Sequence, residues 1–512
     1  MVEPKSVVEH GLRRAIVSIA VIAATLLEIV DTTIVNVALP NIQGNMGVPI
    51  DQGAWIVTGY IVANVIVIPL TPWLAARFGR RQYFFASICI FTFASLMCGL
   101  AGSFGSLVFW RIMQGLGGGG LISTSQAILR DTYTLKEQGK AQGIFAMGVI
   151  VGPALGPVLG GWITDNFTWR WAFFINLPVG IAAATLIWNY LRNPIQPQRD
   201  KKLDWIGLAL LAIGLGSMQY VLDQGQTYDW FDDPNIRLFT GVAVAGIAGF
   251  VWWTLKSGIP VVDLHVLRLR QVAAGSLLGA VLGVSLYGSV LLLPQYLQNS
   301  LNFTPTLSGL TILVRAVAVM IFTPLTAALA GRGLVDPRIN TAIGFVLLGV
   351  SNWLLGGITT PQSQFGTFII VLVISGIGLS QIFVPLSIAV IGGVPEKEVP
   401  ATSAFFNLSR QIGGSIATAV LVTLLVRGIT INQTELAATQ NLHRTSVATF
   451  IQNHGGEHSF NALETLTDQV EAQAAVLSYA DASRATAIIT FALAPLVLLL
   501  NRPRLGGPVP AE

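Results

Sequence analysis

The chain has 512 residues, of which 53% are hydrophobic and only 11% charged, with a mean hydropathy of +0.67. A soluble domain carries about 25% charged residues, so this composition excludes a water-soluble enzyme and places the chain in a lipid bilayer. The net charge of +4 is modest and points to no nucleic-acid partner; its Lys and Arg residues are read as topogenic.

Taken in order, a tail of residues 1–14 precedes fourteen apolar stretches near the 20 or so residues that cross hydrocarbon. They cover 15–38, 54–76, 83–103, 106–129, 141–163, 172–191, 204–222, 237–256, 272–297, 306–330, 339–358, 365–389, 402–426 and 482–501. The first continues past the length of a signal-peptide core and lacks a small-residue cleavage site, so it is expected to remain as a span. With a cytoplasmic N-terminus, nearly all loop Lys and Arg fall on the cytoplasmic side; only Arg170, Arg237, Arg427, Arg444 and Arg484 lie opposite. Both termini are therefore expected in the cytoplasm.

The first span carries Glu28 and Asp31, the two carboxylates set well within an apolar run, spaced by three so that they share a helix face. Neighbouring carboxylates in a medium of low dielectric cannot both ionise cheaply, which makes them candidates for binding and releasing a proton. They would also attract a lipophilic cation. A polar packing role is the alternative for Asp31, and a headgroup or pore-lining role for Glu28. After the second span comes Arg77-Phe78-Gly79-Arg80-Arg81. The fourth holds Arg111 and, one turn on, Gln114; an Arg at that depth needs a carboxylate or a cavity, and Arg111 is the natural counter-charge. In the fifth span, Gly148, Gly152, Gly156 and Gly160 recur every four residues, with Pro153, Pro157 and Gly161 among them. That spacing makes a side-chain-free groove along one face, suited to close approach of a neighbouring helix.

Pro69-Leu70-Thr71, Leu74-Ala75 and Arg77 recur as Pro324-Leu325-Thr326, Leu329-Ala330 and Arg332, and Leu39-Pro40 as Leu293-Pro294. The repeat predicts an all-α integral membrane protein built from parallel six-helix halves, with a substrate site near midplane between them. The halves are 15–191 and 271–501, separated by a 192–270 linker holding two inserted helices and followed by a 502–512 tail. Asn64, Gln295, Tyr296, Gln381, Asn407 and Arg410 are polar points on the spans and, with Gln114, are candidates for lining a substrate path. Helix-to-helix hydrogen bonding is the other reading of each amide. No G-x-x-x-x-G-K-[ST] loop occurs, and the five histidines fall in tails and loops, so transport is expected to run on an ion gradient, with carboxylates carrying the proton. No cofactor is implied. In the external stretch 428–481, His454, Glu457 and His458 match H-x-x-E-H in outline, but Gly455 and Gly456 oppose the helix a zinc peptidase needs. Leu463, Leu466, Val470 and Leu477 predict an amphipathic helix over 461–479 that must pack on the transporter or on a partner.

Several of these segments mark a family. Arg77 to Arg81 resembles the end of the cytoplasmic-loop motif of the major facilitator superfamily, although Pro72 and Ala76 depart from its Gly and Asp, so the role of that Asp cannot be carried over. Arg111-Ile112-Met113-Gln114-Gly115 resembles its R-x-x-Q-G motif, and Gly148 to Gly161 its antiporter motif. Asp31 to Pro40 and Trp169 to Pro178 look like signatures of the fourteen-span drug/proton antiporters, of the EmrB-type exporter group. The resemblance implies a bacterial inner-membrane exporter of hydrophobic or cationic compounds, driven by protons. It also implies a periplasmic membrane-fusion adaptor leading to an outer-membrane channel. An exporter dedicated to one endogenous metabolite or siderophore is the alternative.

Overall fold

The computed structural model describes residues 8–500, except 49, 54, 135–136, 194–203, 258–261, 263, 332–335, 392–393, 396–397, 440–446, 448 and 450–459. The described residues contain helices and no strand. We number the main helices α1 Gly11–Met46, α2 Trp55–Val67, α3 Thr71–Phe78, α4 Arg80–Gly99, α5 Phe104–Gly118, α6 Leu121–Thr132, α7 Gln138–Asn166 and α8 Asn176–Tyr190. They continue as α9 Trp205–Gln224, α10 Pro234–Lys256, α11 Arg270–Gln295, α12 Pro305–Gly331, α13 Pro337–Ile358, α14 Phe365–Ile391, α15 Val399–Thr439 and α16 Phe460–Leu493.

Among the described residues, twelve stretches are each long and apolar enough to cross a membrane. The fourth span, broken into α5 and α6 at Gly119 and Gly120, and the ninth, on α11, bring the number to fourteen. Side chains set the helix starts: Asp204 accepts from the Gly207 N–H at 2.9 Å at α9, and Asp233, just before Pro234 of α10, accepts from the N–H groups of Asn235 and Ile236. Gly79 joins α3 to α4 at φ 90°, a backbone conformation that side chains disfavour.

In each half the repeat produces an intimate helix pair. In the first, α1 lies along α7; in the second, a Cβ at Gly279 would meet the Phe406 ring at 3.0 Å, so α11 lies equally close to α15. The halves meet along α7 and α12, where a Cβ on Gly309 would come within 2.8 Å of the Val158 nitrogen. The inserted α9 lies over the other seam: Gly216 faces Val62 of α2, while Gln219 accepts a hydrogen bond from Ser415 of α15 at 2.9 Å.

Apolar burial distinguishes the two ends of the bundle. At the end carrying Gly11, one buried cluster runs through both halves, joining Ala141 and Phe145 to Ala327, Phe383 and Val390; the Phe145 and Phe383 rings are 5.9 Å apart. Toward the opposite end the core separates into one cluster around Ile34, Ile56 and Phe173 and another around Leu297, Phe368 and Leu425. Apolar burial is thus shared between the halves at the N-terminal end and separates into two clusters toward the distal end, where α7 and α12 still touch at Val158 and Gly309.

The distal region differs from expectation. No separate amphipathic helix spans 461–479; α16 runs unbroken from Phe460 into the last span, and α15 continues to Thr439. The two extensions pack on each other through Val470, Ala474 and Ser478, with Asn432 donating to Ser478 at 2.9 Å and Gln433 to Glu471 at 3.1 Å. Leu477, expected on the packed face, is 38% exposed. Helical continuation into the membrane sets the rotation of α16, and that rotation selects small side chains for the contact. Leu463 and the His454, Glu457 and His458 group lie outside the residues whose side chains are described.

Candidate functional site

Asp31 and Glu28 project from one face of α1 into the first half, and both are buried, at 0% and 5% exposure. Asp31 is enclosed on every side. Its Oδ2 accepts from Arg111 Nη1 at 2.6 Å, and its Oδ1 accepts from Gln114 Nε2 at 2.8 Å and Asn176 Nδ2 at 2.7 Å. Arg111 Nη1 also donates to Gln114 Oε1 at 2.8 Å, and Nε to the Ile56 carbonyl at 3.0 Å, while the guanidinium lies 4.3 Å from the Tyr60 ring centroid. Gln114 therefore bridges acid and base, its spacing of three from Arg111 placing both on one face of α5. The buried Cys98 thiol donates to Gln114 Oε1 at 3.7 Å.

Sequence reasoning missed Asn176 as a site residue. It begins α8 and donates both to Asp31 and to Ser95 Oγ at 3.0 Å. The available signal was an amide opening an apolar span. Trp169, just before α8, is 3% exposed, with the Arg170 guanidinium 4.5 Å from its ring.

Glu28 has a different environment. Its Oε1 accepts from Asn64 Nδ2 at 2.9 Å and its Oε2 from the Ile122 N–H at 3.2 Å. That N–H is free because the fourth span restarts at Leu121: the first amides of a helix have no partner within it, and its dipole favours an anion there. The glycine break thus builds an anion-facing helix terminus at membrane depth. A Cβ on Gly119 would sit 2.6 Å from the Asn64 carbonyl oxygen, so the break also lets α2 approach.

No cation touches Glu28 among the described residues. The positive charge that acts on it is Arg410 of α15, in the other half. Arg410 Nη2 donates to Asn407 Oδ1 at 3.2 Å, and Asn407 Nδ2 donates across the seam to Gln126 Oε1 at 3.1 Å. Asn407 and Arg410 therefore lie at the meeting of the halves. Among the other expected path residues, Gln114 and Asn64 are engaged by the carboxylates. Tyr296 is 2% exposed inside the second half, its hydroxyl donating to the Thr360 carbonyl at 2.7 Å, and Gln295 and Gln381 are half-buried on α11 and α14.

The glycine groove of α7 faces α1. Cβ atoms would meet Ile22 Cγ2 at 3.5 Å from Gly148, Ile29 Cγ2 at 2.6 Å from Gly152, Thr33 Oγ1 from Gly156, and Val37 Cβ at 3.1 Å from Gly160. It follows the carboxylate-bearing helix turn by turn. Pro153 and Pro157 lie inside α7, and the Thr164 hydroxyl donates to the carbonyls of Gly160 and Gly161 at 2.9 and 3.1 Å. At the loop motif, Arg77 closes the last turn of α3 before Gly79, Arg80 pairs with Asp131 at the end of α6, and the Arg81 guanidinium lies 4.5 Å from the Trp188 ring.

Helices of this length with ionisable groups sealed among them, in two repeated halves, define a polytopic membrane transporter. The Major Facilitator Superfamily profile matches residues 21–418, and the chain belongs to that family. It is a transporter and not an enzyme. It is 35% identical to the multidrug export protein EmrB of Escherichia coli K12 over 432 residues, covering 84% of each chain. To the fatty acid resistance protein FarB of Neisseria gonorrhoeae it is 31% identical, covering 97% of this chain and 98% of that one. The crystal structure of the human organic anion transporter MFSD10 shares the fold at a TM-score of 0.58 and 14% identity, covering 94% of this chain and all of the other.

Proposed function

We propose that this protein is a proton-coupled antiporter that exports hydrophobic or cationic drug-like compounds by alternating access. We place it in a bacterial inner membrane with both termini cytoplasmic. The observation that carries the reading is the unequal neutralisation of two buried carboxylates on one helix face. Asp31 has its counter-charge inside its own half, whereas the charge nearest in effect to Glu28 belongs to the opposite half. While Glu28 is ionised, its attraction for Arg410 holds the halves together on the cytoplasmic side. A proton arriving from the distal side cancels that attraction and frees the seam to open toward the cytoplasm. Release of the proton there restores the charge and leaves a site for a lipophilic cation. Each ligand thereby favours a different state of one two-state element. Arg111, Gln114 and Asn176 hold Asp31 in position, and the α1/α7 glycine contact lets the pair move as a unit.

The names of the EmrB and FarB relatives support export of apolar small molecules. We further assign the distal extensions of α15 and α16 to a periplasmic membrane-fusion adaptor leading to an outer-membrane channel. A helix of 41 residues is about 60 Å long, twice the hydrocarbon thickness, and Ile431 on its distal part is 58% exposed.

The test is flux of several chemically unrelated dyes in proteoliposomes under an imposed pH gradient. Gradient-dependent accumulation of more than one dye is expected. Transport of none of them, with flux of a single natural metabolite, would support the dedicated exporter instead.

A further inference from the structure

A third acid sits in the wall of the transporter, apart from the α1 pair. Asp223 ends the inserted span α9, half-buried at the distal side against the first turn of α2. The Thr58 hydroxyl donates to its Oδ2. Gln224 Nε2 donates to Thr58 Oγ1 at 3.0 Å and reaches Asp223 Oδ2 at 3.5 Å. Thr58 and Gln224 are 0% and 1% exposed, so the half-buried carboxyl borders a dry polar pair near the distal end of α9.

Two features make this more than a packing contact. First, among the described residues no cation pairs with the acid: Tyr220, Tyr228 and the aspartates after α9, Arg237 and Lys256 on α10, Tyr60 on α2, Arg111 on α5, and Arg410, Arg427 and Glu435 on α15 are ionisable groups of the surrounding elements, while the side chains that touch the carboxylate are the uncharged Thr58 and Gln224. Second, the cluster is one donor short. Gln224 Oε1 is buried without a hydrogen-bond partner among the described residues, which costs about as much as a lost hydrogen bond. A proton on the adjacent Asp223 carboxyl would add a donor to this cluster. We infer that Asp223, with Thr58 and Gln224, is a second proton-binding site, loaded from the distal compartment.

The placement gives that proton a purpose. Through Gln219 to Ser415 and Trp230 to Thr423 at 3.0 Å, α9 and the turn after it are tied to the second half. Asp223 to Thr58 ties it to the first. Two residues before Thr58, the Ile56 carbonyl receives Arg111, so this turn of α2 is gripped from the Asp31 network and from the inserted span together. Changing the charge on Asp223 changes the hold of α9 on the distal end of α2.

This inference rests on the antiport reading, and its test separates the two. Infrared difference spectra between acid and alkaline pH would be recorded on the full chain in lipid nanodiscs, with pH-driven dye flux measured in parallel proteoliposomes. A protonated-carboxyl band is expected that disappears in Asp223→Asn and returns, displaced, in Asp223→Glu. Thr58→Val, which removes one hydrogen bond to the ionised form, is expected to move its titration by about one pH unit toward alkaline. A full band in Asp223→Asn overturns the site while leaving antiport standing. Wild-type flux indifferent to the pH gradient removes antiport, yet the band would still report whether Asp223 binds a proton. Should Asp223→Asn not fold, an unmoved titration in Thr58→Val overturns the inference by itself.

Discussion

Arg111→Gln removes the one cation that, among the described residues, touches a fully buried carboxylate, and its cost can be worked from the contacts. Asp31 would keep Gln114 and Asn176 but lose the 2.6 Å ion pair. Breaking one partner of a buried pair costs about 3–5 kcal/mol, because a desolvated charge is left behind. The double variant Asp31→Asn/Arg111→Gln carries no buried charge at this point and should melt between the single variant and wild type. Thermal melting of detergent-purified protein measures the order. A single variant as stable as wild type, or a double variant no better than the single, refutes the ion-pair account.

Further outcomes follow from the same geometry. Asp31→Asn should reach the membrane and lose uphill export; wild-type accumulation ratios at an unchanged pH gradient would remove Asp31 from the coupling site. Gly156→Leu drives side-chain atoms into Thr33, an overpacking worth about 1–3 kcal/mol, so export should fall with little change in substrate affinity, and full turnover would show that α7 need not approach α1 so closely. Ile431→Asp on the exposed distal extension should weaken a complex with an adaptor, measured by co-purification, and leave vesicle flux intact; loss of vesicle flux would assign that surface to the transporter itself.

The spans and the halves were legible because an apolar run of fixed length and a repeated Pro-Leu-Thr signal are local properties of the chain. Asp31, Arg111 and Gln114 stood out for a related reason: a charge inside hydrocarbon needs a partner, and few candidates existed. Asn176 did not stand out, because an amide is tolerated at many span starts and its partners arrive from α1 and α4. The break at Gly119 and Gly120 was written in a run of glycines from Gly117, yet its use as a helix terminus for Glu28 depends on how α1 lies against it. The distal extensions were hidden by polarity. Residues such as Asn432, Gln433 and Glu435 end an apolar span without ending a helix, so hydropathy marked the membrane edge and not the end of α15.

The central claim is that proton and substrate movements are obligatorily exchanged through the α1 carboxylates. The most direct measurement is the reverse coupling: a substrate gradient imposed across proteoliposomes with no initial pH difference, with an internal pH dye as readout. The account predicts that substrate running down its gradient moves protons the opposite way in wild type and fails to do so in Glu28→Gln. Substrate flux without proton movement in wild type, or undiminished proton movement in Glu28→Gln, would contradict it.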